Sequence, residues 1–389
     1  MRPCAWRWTF HVRSGVLAPV ACLLLLVALL ASALPTQADD QCVNPRRGFD
    51  TMTVNLYIGA GTERVLALDP TDPNYLTNLI TAVTGVYYEL AVSQPVVRLQ
   101  GVADRIAARR PDVVAVEEAS LIRIRSLGGT TPATSVVYDY LQILVDALQV
   151  RGAHYAVVAT SQEWDIEMPM LNLTGGIDFV RQTDREAILV RTDLPPGQLR
   201  TSHPQSGHFI NVIQIPTLGF SLLRGWCSVD VSSHGETFRY VCAHLEEETA
   251  PQIQMAQVQE LLAGLAHTNL PVVLVGDFNS DPLHRDRPAA DPTAYPLVLA
   301  AGFRDSWALL NPRHPAAGLT WGHDEYLADP NTAFDRRIDF VFFRGTNFVP
   351  IDADVLDMTL NRTAPPLWTS DHAALAVQLF IEPARGGPR

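Results

Sequence analysis

Residues 113–116 and 272–275 are apolar at every position, and residues 338–343 are apolar except for Asp339. A strand without a polar face must be covered on both sides, so such runs belong to sheets buried between other layers. Further β-rich runs lie at 52–57, 187–190, 227–231 and 238–243. Helical spacing links Leu76, Leu79, Ile80, Val83, Tyr87 and Leu90. A second helix carries Leu99, Val102 and Ile106 and ends at Arg109-Arg110-Pro111; a third is marked by Val258, Leu261, Leu262 and Leu265. Strands and helices interleave to the end, with no repeat, low-complexity tract or linker. This is the pattern of one α/β domain with buried sheets.

The first 38 residues follow another pattern. Arg2, Arg7 and Arg13 precede an apolar stretch over 16–33, densest at Leu23-Leu24-Leu25-Leu26. Small residues offer cleavage after Ala33 or Ala38. A secretory signal peptide at 1–38 is expected, followed by a single domain over 39–389 with its core at about 52–380. The mature chain would then be extracellular or periplasmic. An uncleaved membrane anchor is the alternative, which Pro19 and the alanine-rich end disfavour.

Cleavage would remove those three arginines and no acid, taking the net charge from −12 to −15. There is no lysine, which excludes a lysine Schiff base and a Walker-type phosphate loop. So acidic a chain is poorly suited to passive nucleic-acid binding. Cys42, Cys227 and Cys242 would remain, allowing at most one internal bridge. If His234-Gly235 forms a two-residue hairpin loop, antiparallel register sets Cys227 opposite Cys242. A bridge between them is a possibility this pairing opens.

Five polar clusters stand out, four of them after or inside an apolar strand. Gly276-Asp277-Phe278-Asn279 ends the 272–275 run and offers a carboxylate and an amide to a metal or phosphate. Alone, it reads equally well as an Asx turn. Glu117-Glu118 ends the 113–116 run with two hard oxygen donors suited to Mg²⁺, Mn²⁺ or Ca²⁺. Asp339 within an apolar strand needs a partner. His372, in Thr369-Ser370-Asp371-His372, is the obvious one. His244 ends a strand in the fifth cluster, where it could donate to a phosphate oxygen.

In order, Asn55, Glu118, His244, Asp277 with Asn279, Asp339, and Asp371 with His372 resemble the endonuclease/exonuclease/phosphatase superfamily. "GDFN", "RRIDFVFF" and "TSDH" carry the likeness, which runs from about residue 52 to 379. The resemblance implies an α/β (α+β) four-layer sandwich: two packed, mostly antiparallel β-sheets flanked by helices. It implies a metal-dependent phosphoesterase, acting on a phosphodiester in first place, by in-line attack of an activated water. Asn55, Glu118 and Asp371 would serve the metal, Mg²⁺ or Mn²⁺ with Ca²⁺ also compatible. Asp277 would orient or deprotonate the water, and Asn279 would hold the phosphate. His372 would contact the phosphoryl group, oriented by Asp339. His244 resembles the histidine of the deoxyribonuclease, sphingomyelinase and inositol-phosphatase branches. The substrate would be a nucleic acid, a phospholipid or a small phosphate ester. A monomer without an obligate protein partner is expected, and a binding protein that lost activity is the competing class.

Two features depart from the common pattern. The glutamate motif usually reads Gln-Glu, so Glu117 stays open beside Glu118 as the ligand. About forty residues also separate Asn55 from the helix before Pro111, an insertion suited to walling the substrate cleft. The apolar stretch 209–215 fits either a lipid-facing loop or a strand with one buried face.

Overall fold

A computed structural model describes residues 48–216, 219–283, 293–314, 317–329, 334–345, 347–356, 359–360 and 367–382. The expected signal peptide, its cleavage sites and Cys42 lie outside these residues. In chain order the elements begin with β1 (Gly48–Asn55), α1 (Glu63–Leu66), α2 (Tyr75–Val92), α3 (Pro95–Arg109) and β2 (Val113–Glu117). They continue with β3 (Leu121–Ser126), β4 (Ser135–Asp139), α4 (Tyr140–Val150), β5 (Tyr155–Leu171), β6 (Ile177–Arg191) and β7 (Leu199–His208). Next come β8 (Ile213–Ile215), β9 (Phe220–Leu222), β10 (Gly225–Ser233), β11 (Glu236–His244), α5 (Pro251–Ala263) and β12 (Val272–Asp277). The last are α6 (Ala294–Ala300), β13 (Arg304–Asp305), α7 (Ser306–Leu310), β14 (Asp339–Arg344), β15 (Phe348–Leu356), β16 (Thr359–Leu360), β17 (Leu367–Trp368) and β18 (Ala374–Ile381).

One sheet runs β15-β18-β1-β2-β6-β3-β4, with β5 on β6; the other runs β13-β14-β12-β11-β10-β7. Each holds one parallel pair, β1 with β2 and β11 with β12, and is otherwise antiparallel. Burial on both faces explains the fully apolar strands. Val113 and Ala115 face the other sheet, while Val114 and Val116 pack with Leu99, Val102 and Ile106 of α3 and Leu144 of α4. In the second sheet Val341 and Phe343 face inward, while Phe340 and Phe342 pack with Val258 and Leu261 of α5 and Val298 of α6. The order helix, sheet, sheet, helix is the expected four-layer sandwich.

The hairpin β10–β11 has the register read from the sequence, with Cys227 opposite Cys242. His234 and Gly235 both have positive φ, 55° and 86°, as a type I′ turn requires. The bridge is not formed, and both thiols are free. Alternation explains this. Counting outward from the turn-closing pair Ser233–Glu236, the cysteines fall on a hydrogen-bonded pair, not on the non-hydrogen-bonded kind that suits a cross-strand bridge best. Cys242 Sγ instead donates to Glu117 Oε1 at 3.3 Å. In the stretch 209–215, Phe209 is buried, Ile210 is exposed, and 213–215 forms a small hairpin with β9 apart from both sheets.

Arg98 ties the insertion to the sandwich. It lies in α3, fully buried, and its guanidinium donates to Ser93 O, Leu56 O, Thr369 O and Tyr57 O over 2.7–3.1 Å. One side chain thus joins the segment after β1, the turn between α2 and α3, and the segment carrying Ser370 to His372. Arg98→Met should lower unfolding free energy by on the order of 3 kcal/mol or more, because several buried carbonyls lose their donor together. Urea unfolding checks this; a change below about 1 kcal/mol would show that water replaces the guanidinium.

Candidate active site

Six inward-facing rows of side chains end at one edge of the sandwich. In the first sheet they are Phe49-Thr51-Thr53-Asn55 on β1, Val113-Ala115-Glu117 on β2 and Val190-Ile188-Glu186 on β6. In the second they are Tyr240-Cys242-His244 on β11, Val273-Val275-Asp277 on β12 and Phe343-Val341-Asp339 on β14. Each row follows the two-residue period of a strand. The hydrophobic members build the core between the sheets. Each terminal member is polar or charged and at most 1 % exposed. The site therefore lies where the inter-sheet core runs out.

Backbone turns bring in two more groups. Glu118 and Asn279 have φ of 53° and 47°. Strand alternation alone would aim Glu118 toward the outer face, away from Glu117. The left-handed turn brings it to Asn55, whose Nδ2 donates to Glu118 Oε1 at 3.0 Å, and Ile58 N donates to Oε2 at 2.9 Å. For a glutamate this backbone costs roughly 1–2 kcal/mol. Glu117 faces the core instead, with Thr53 Oγ1 donating to it at 2.8 Å. Burial, reinforced by Asp339, pushes its carboxyl up to about 8.

Asp277 occupies the centre. Its Oδ2 accepts from Asn55 Nδ2 at 3.2 Å and lies 3.6 Å from His244 Nε2 and 3.7 Å from His372 Nε2. Its Oδ1 accepts from Asn279 N at 2.9 Å. His372 Nδ1 and Asp339 Oδ2 are 2.8 Å apart, and His372 Nε2 is 3.9 Å from Asp371 Oδ1. Asn279 Nδ2 lies 3.3 Å from His244 Nε2 and donates to Leu245 O at 3.0 Å. These contacts link all eight sequence-derived site residues: Asn55, Glu118, His244, Asp277, Asn279, Asp339, Asp371 and His372.

Burial sets the electrostatics. It raises Asp277 to about 7, with Asp339 adding to the effect. Burial works against charge on His372, but Asp339, Asp371 and Asp277 outweigh it and hold that imidazole well above its usual value. His244 goes the other way: burial first, then Arg224 and His372, keep it neutral well below the usual range. Burial and neighbouring charges thus shift the two histidines of one site in opposite directions.

Several site groups escape a reading by motif. Ser370 Oγ donates to Asn55 O at 2.7 Å, and Trp321 Nε1 donates to Asp371 Oδ2 at 3.1 Å. Arg224, little exposed, lies with Nη1 2.9 Å from His244 Nε2 and Nη2 3.5 Å from Glu246 Oε1. Glu186 Oε1 is 3.4 Å from His244 Nδ1. The one available signal was Glu186 itself, a charge directly before the apolar 187–190 run.

Among the described residues, two groups offer ligand atoms within 4.8 Å of one another: Asp277, Asp339 and His372, and Asp184, Glu186 and His244. Of the three expected ligands, Glu118 and Asp371 present carboxylates, and burial, with Glu118 adding to it, raises the carboxyl of Asp371. Asn55 presents its Nδ2 to Glu118 and Asp277, because Tyr57 N donates to its Oδ1 at 2.9 Å. It therefore holds the two carboxylates in place, with one lone pair of Oδ1 left for a cation.

A sequence profile of the endonuclease/exonuclease/phosphatase family matches residues 91–372. No curated protein matches the chain in a sequence search. Among solved structures, the chain is similar to an endonuclease/exonuclease/phosphatase family protein from Bacteroides thetaiotaomicron at 18% identity, with TM-score 0.50, covering 86% of this chain and 98% of that one. That similarity shows the fold. The mannosyl-6-phosphatase of Bacteroides thetaiotaomicron VPI-5482 is 18% identical, with TM-score 0.49 and coverage of 85% and 99%. TDP2 of D. rerio, solved with a single-strand DNA product, is 16% identical, with TM-score 0.44 and coverage of 85% and 98%.

Proposed function

Because the chain belongs to the endonuclease/exonuclease/phosphatase family, whose enzymes are phosphoester hydrolases, we propose that its site cleaves a phosphodiester by in-line attack of water with a divalent cation. The supporting observation is the place of Asp277, within 3.7 Å of Asn55, His244 and His372 at the end of the buried core.

The residues fit a hard cation. Glu118 and Asp371 are carboxylates close enough to repel. Asp371 is held up at about 6, first by burial and then, against the pull of His372, by Glu118. An oxygen-rich set of this kind suits Mg²⁺ or Mn²⁺ and accommodates Ca²⁺, whereas zinc favours nitrogen and sulfur. A bound cation would neutralise phosphate charge and stabilise the leaving oxygen. Asp277 orients the attacking water and accepts its proton, a task that a carboxyl held near 7 performs well at neutral pH. Asn279 donates to a phosphate oxygen, and neutral His244, whose Nε2 takes Arg224 and Asn279 as donors, holds both beside it. His372, fixed by Asp339, offers its Nε2 proton to the phosphoryl group. Residues 1–38 support export, so the mature chain would act outside the cytoplasm, as a monomer.

The test is hydrolysis of bis(p-nitrophenyl) phosphate, DNA, RNA, sphingomyelin and inositol phosphates by the mature chain. A chelator should abolish activity, and Mg²⁺ or Mn²⁺ should restore it. Full activity in excess chelator, or no hydrolysis of any ester with any cation, would sink the proposal.

A further inference from the structure

Beside the site lies a groove that opens to solvent. Its walls are almost wholly apolar. Helix α2 supplies Val83, Val86 and Leu90, β5 supplies Trp164, Ile166 and Met168, and β9 supplies Phe220 and Leu222.

Three backbone paths lead from groove to site. On β6, Val180 and Gln182 line the groove, and the next two residues on that face are Asp184 and Glu186. Two residues of strand span about 6.6 Å. The groove therefore begins about 7 Å from Asp184, whose carboxyl is raised by burial and then by Glu118. Past β9, Leu222 stands two residues before Arg224, which touches His244. After β1, Thr62 lines the groove four residues beyond Ile58, whose amide holds Glu118.

We infer that this groove receives an alkyl or acyl chain of the substrate while the phosphate lies between Asp277 and His372, so that the enzyme acts on single molecules of an amphipathic phosphate ester. This rests on the phosphodiesterase reading above. A polar ester leaves the groove walls wet, whereas an aliphatic chain removes their apolar surface from water. The chain's negative charge also opposes a polyanion more than a singly charged diester.

The test uses the cation-loaded enzyme and p-nitrophenyl alkyl phosphodiesters from methyl to decyl, each below its micellar concentration. kcat/KM should rise about three- to fourfold per methylene until the groove is full. Val86→Trp, which fills the groove from α2, should flatten that rise, as should Ile166→Glu, which places a charge in it. Both positions are only partly buried, and each variant is compared at matched Tm. Decylphosphonate competing at least tenfold better than methylphosphonate supports the same conclusion without any variant. Hydrolysis with a flat series overturns the inference and spares the phosphodiesterase reading. A rise unchanged in both folded variants, or single-stranded DNA cleaved faster than the decyl ester, also overturns it. No hydrolysis at any chain length overturns the phosphodiesterase reading, and this inference with it.

Discussion

His372→Ala and Asp339→Asn should each lower kcat/KM by about 10²- to 10⁴-fold, and the double change by little more. Asp339 is fully buried, and its Oδ2 engages His372 Nδ1 at 2.8 Å. Backbone N–H donors to Thr320 Oγ1, from Ile338 and Asp339, hold the start of this strand. The carboxylate thus fixes which ring nitrogen faces Asp277. An amide at position 339 keeps the shape but takes away the charge that holds the imidazole protonated. Without the ring, the carboxylate has nothing to orient. Two losses through one interaction do not multiply. Fully multiplicative losses in the double-mutant cycle would show two independent roles.

The adjacent glutamates should separate just as sharply. Glu118→Ala should cost about 10³-fold or more in rate and weaken Mn²⁺ binding, measured by calorimetry, by about 10-fold or more. Glu117→Gln should keep activity within about tenfold, because Glu117 faces the inter-sheet core and is pushed up to about 8, where the neutral acid resembles an amide. Thr53 Oγ1 and Cys242 Sγ donate to Glu117 Oε1, and an amide oxygen accepts the same bonds. The reverse ranking of the two variants would move the metal to Glu117 and leave the strained turn at Glu118 without a function.

Both glutamates were visible in the sequence, but the difference between them was not. It resides in the φ of one residue, which no spacing rule reports. The central strands were legible because burial on two faces leaves no polar positions, as at Val113 to Val116. The first strand begins at Gly48 and stops at Asn55, not at 57, because Tyr57 turns to cap the Asn55 amide with its own N–H. Helix α4, and the long β5–β6 arm apart from 187–190, carry no such mark. The arm alternates through Trp164, Ile166 and Met168 on a half-exposed face, and its register is broken by two bulges. Arg98 looks like an ordinary surface charge in a helix, yet it sits one residue before core-facing Leu99. Three of its four carbonyl partners come from two distant segments. Arg224 follows two leucines with nothing local to mark it. Groups recognised through long-range contacts leave little trace in a linear pattern.

The interior position of β18 sets a schedule for activity. This strand lies between β15 and β1, and Gly48 pairs with Phe380. A chain emerging from the ribosome carries Asn55, Glu118, His244 and Asp277 long before the segment that supplies His372. Until β18 arrives, β1 has an open edge and Asn55 O lacks the Ser370 hydroxyl. Such long-range closure is slow and comes last. A partly synthesised chain therefore holds most of the candidate site groups without their arrangement. Cleavage of phosphate esters waits until β18 has been made and has joined β1.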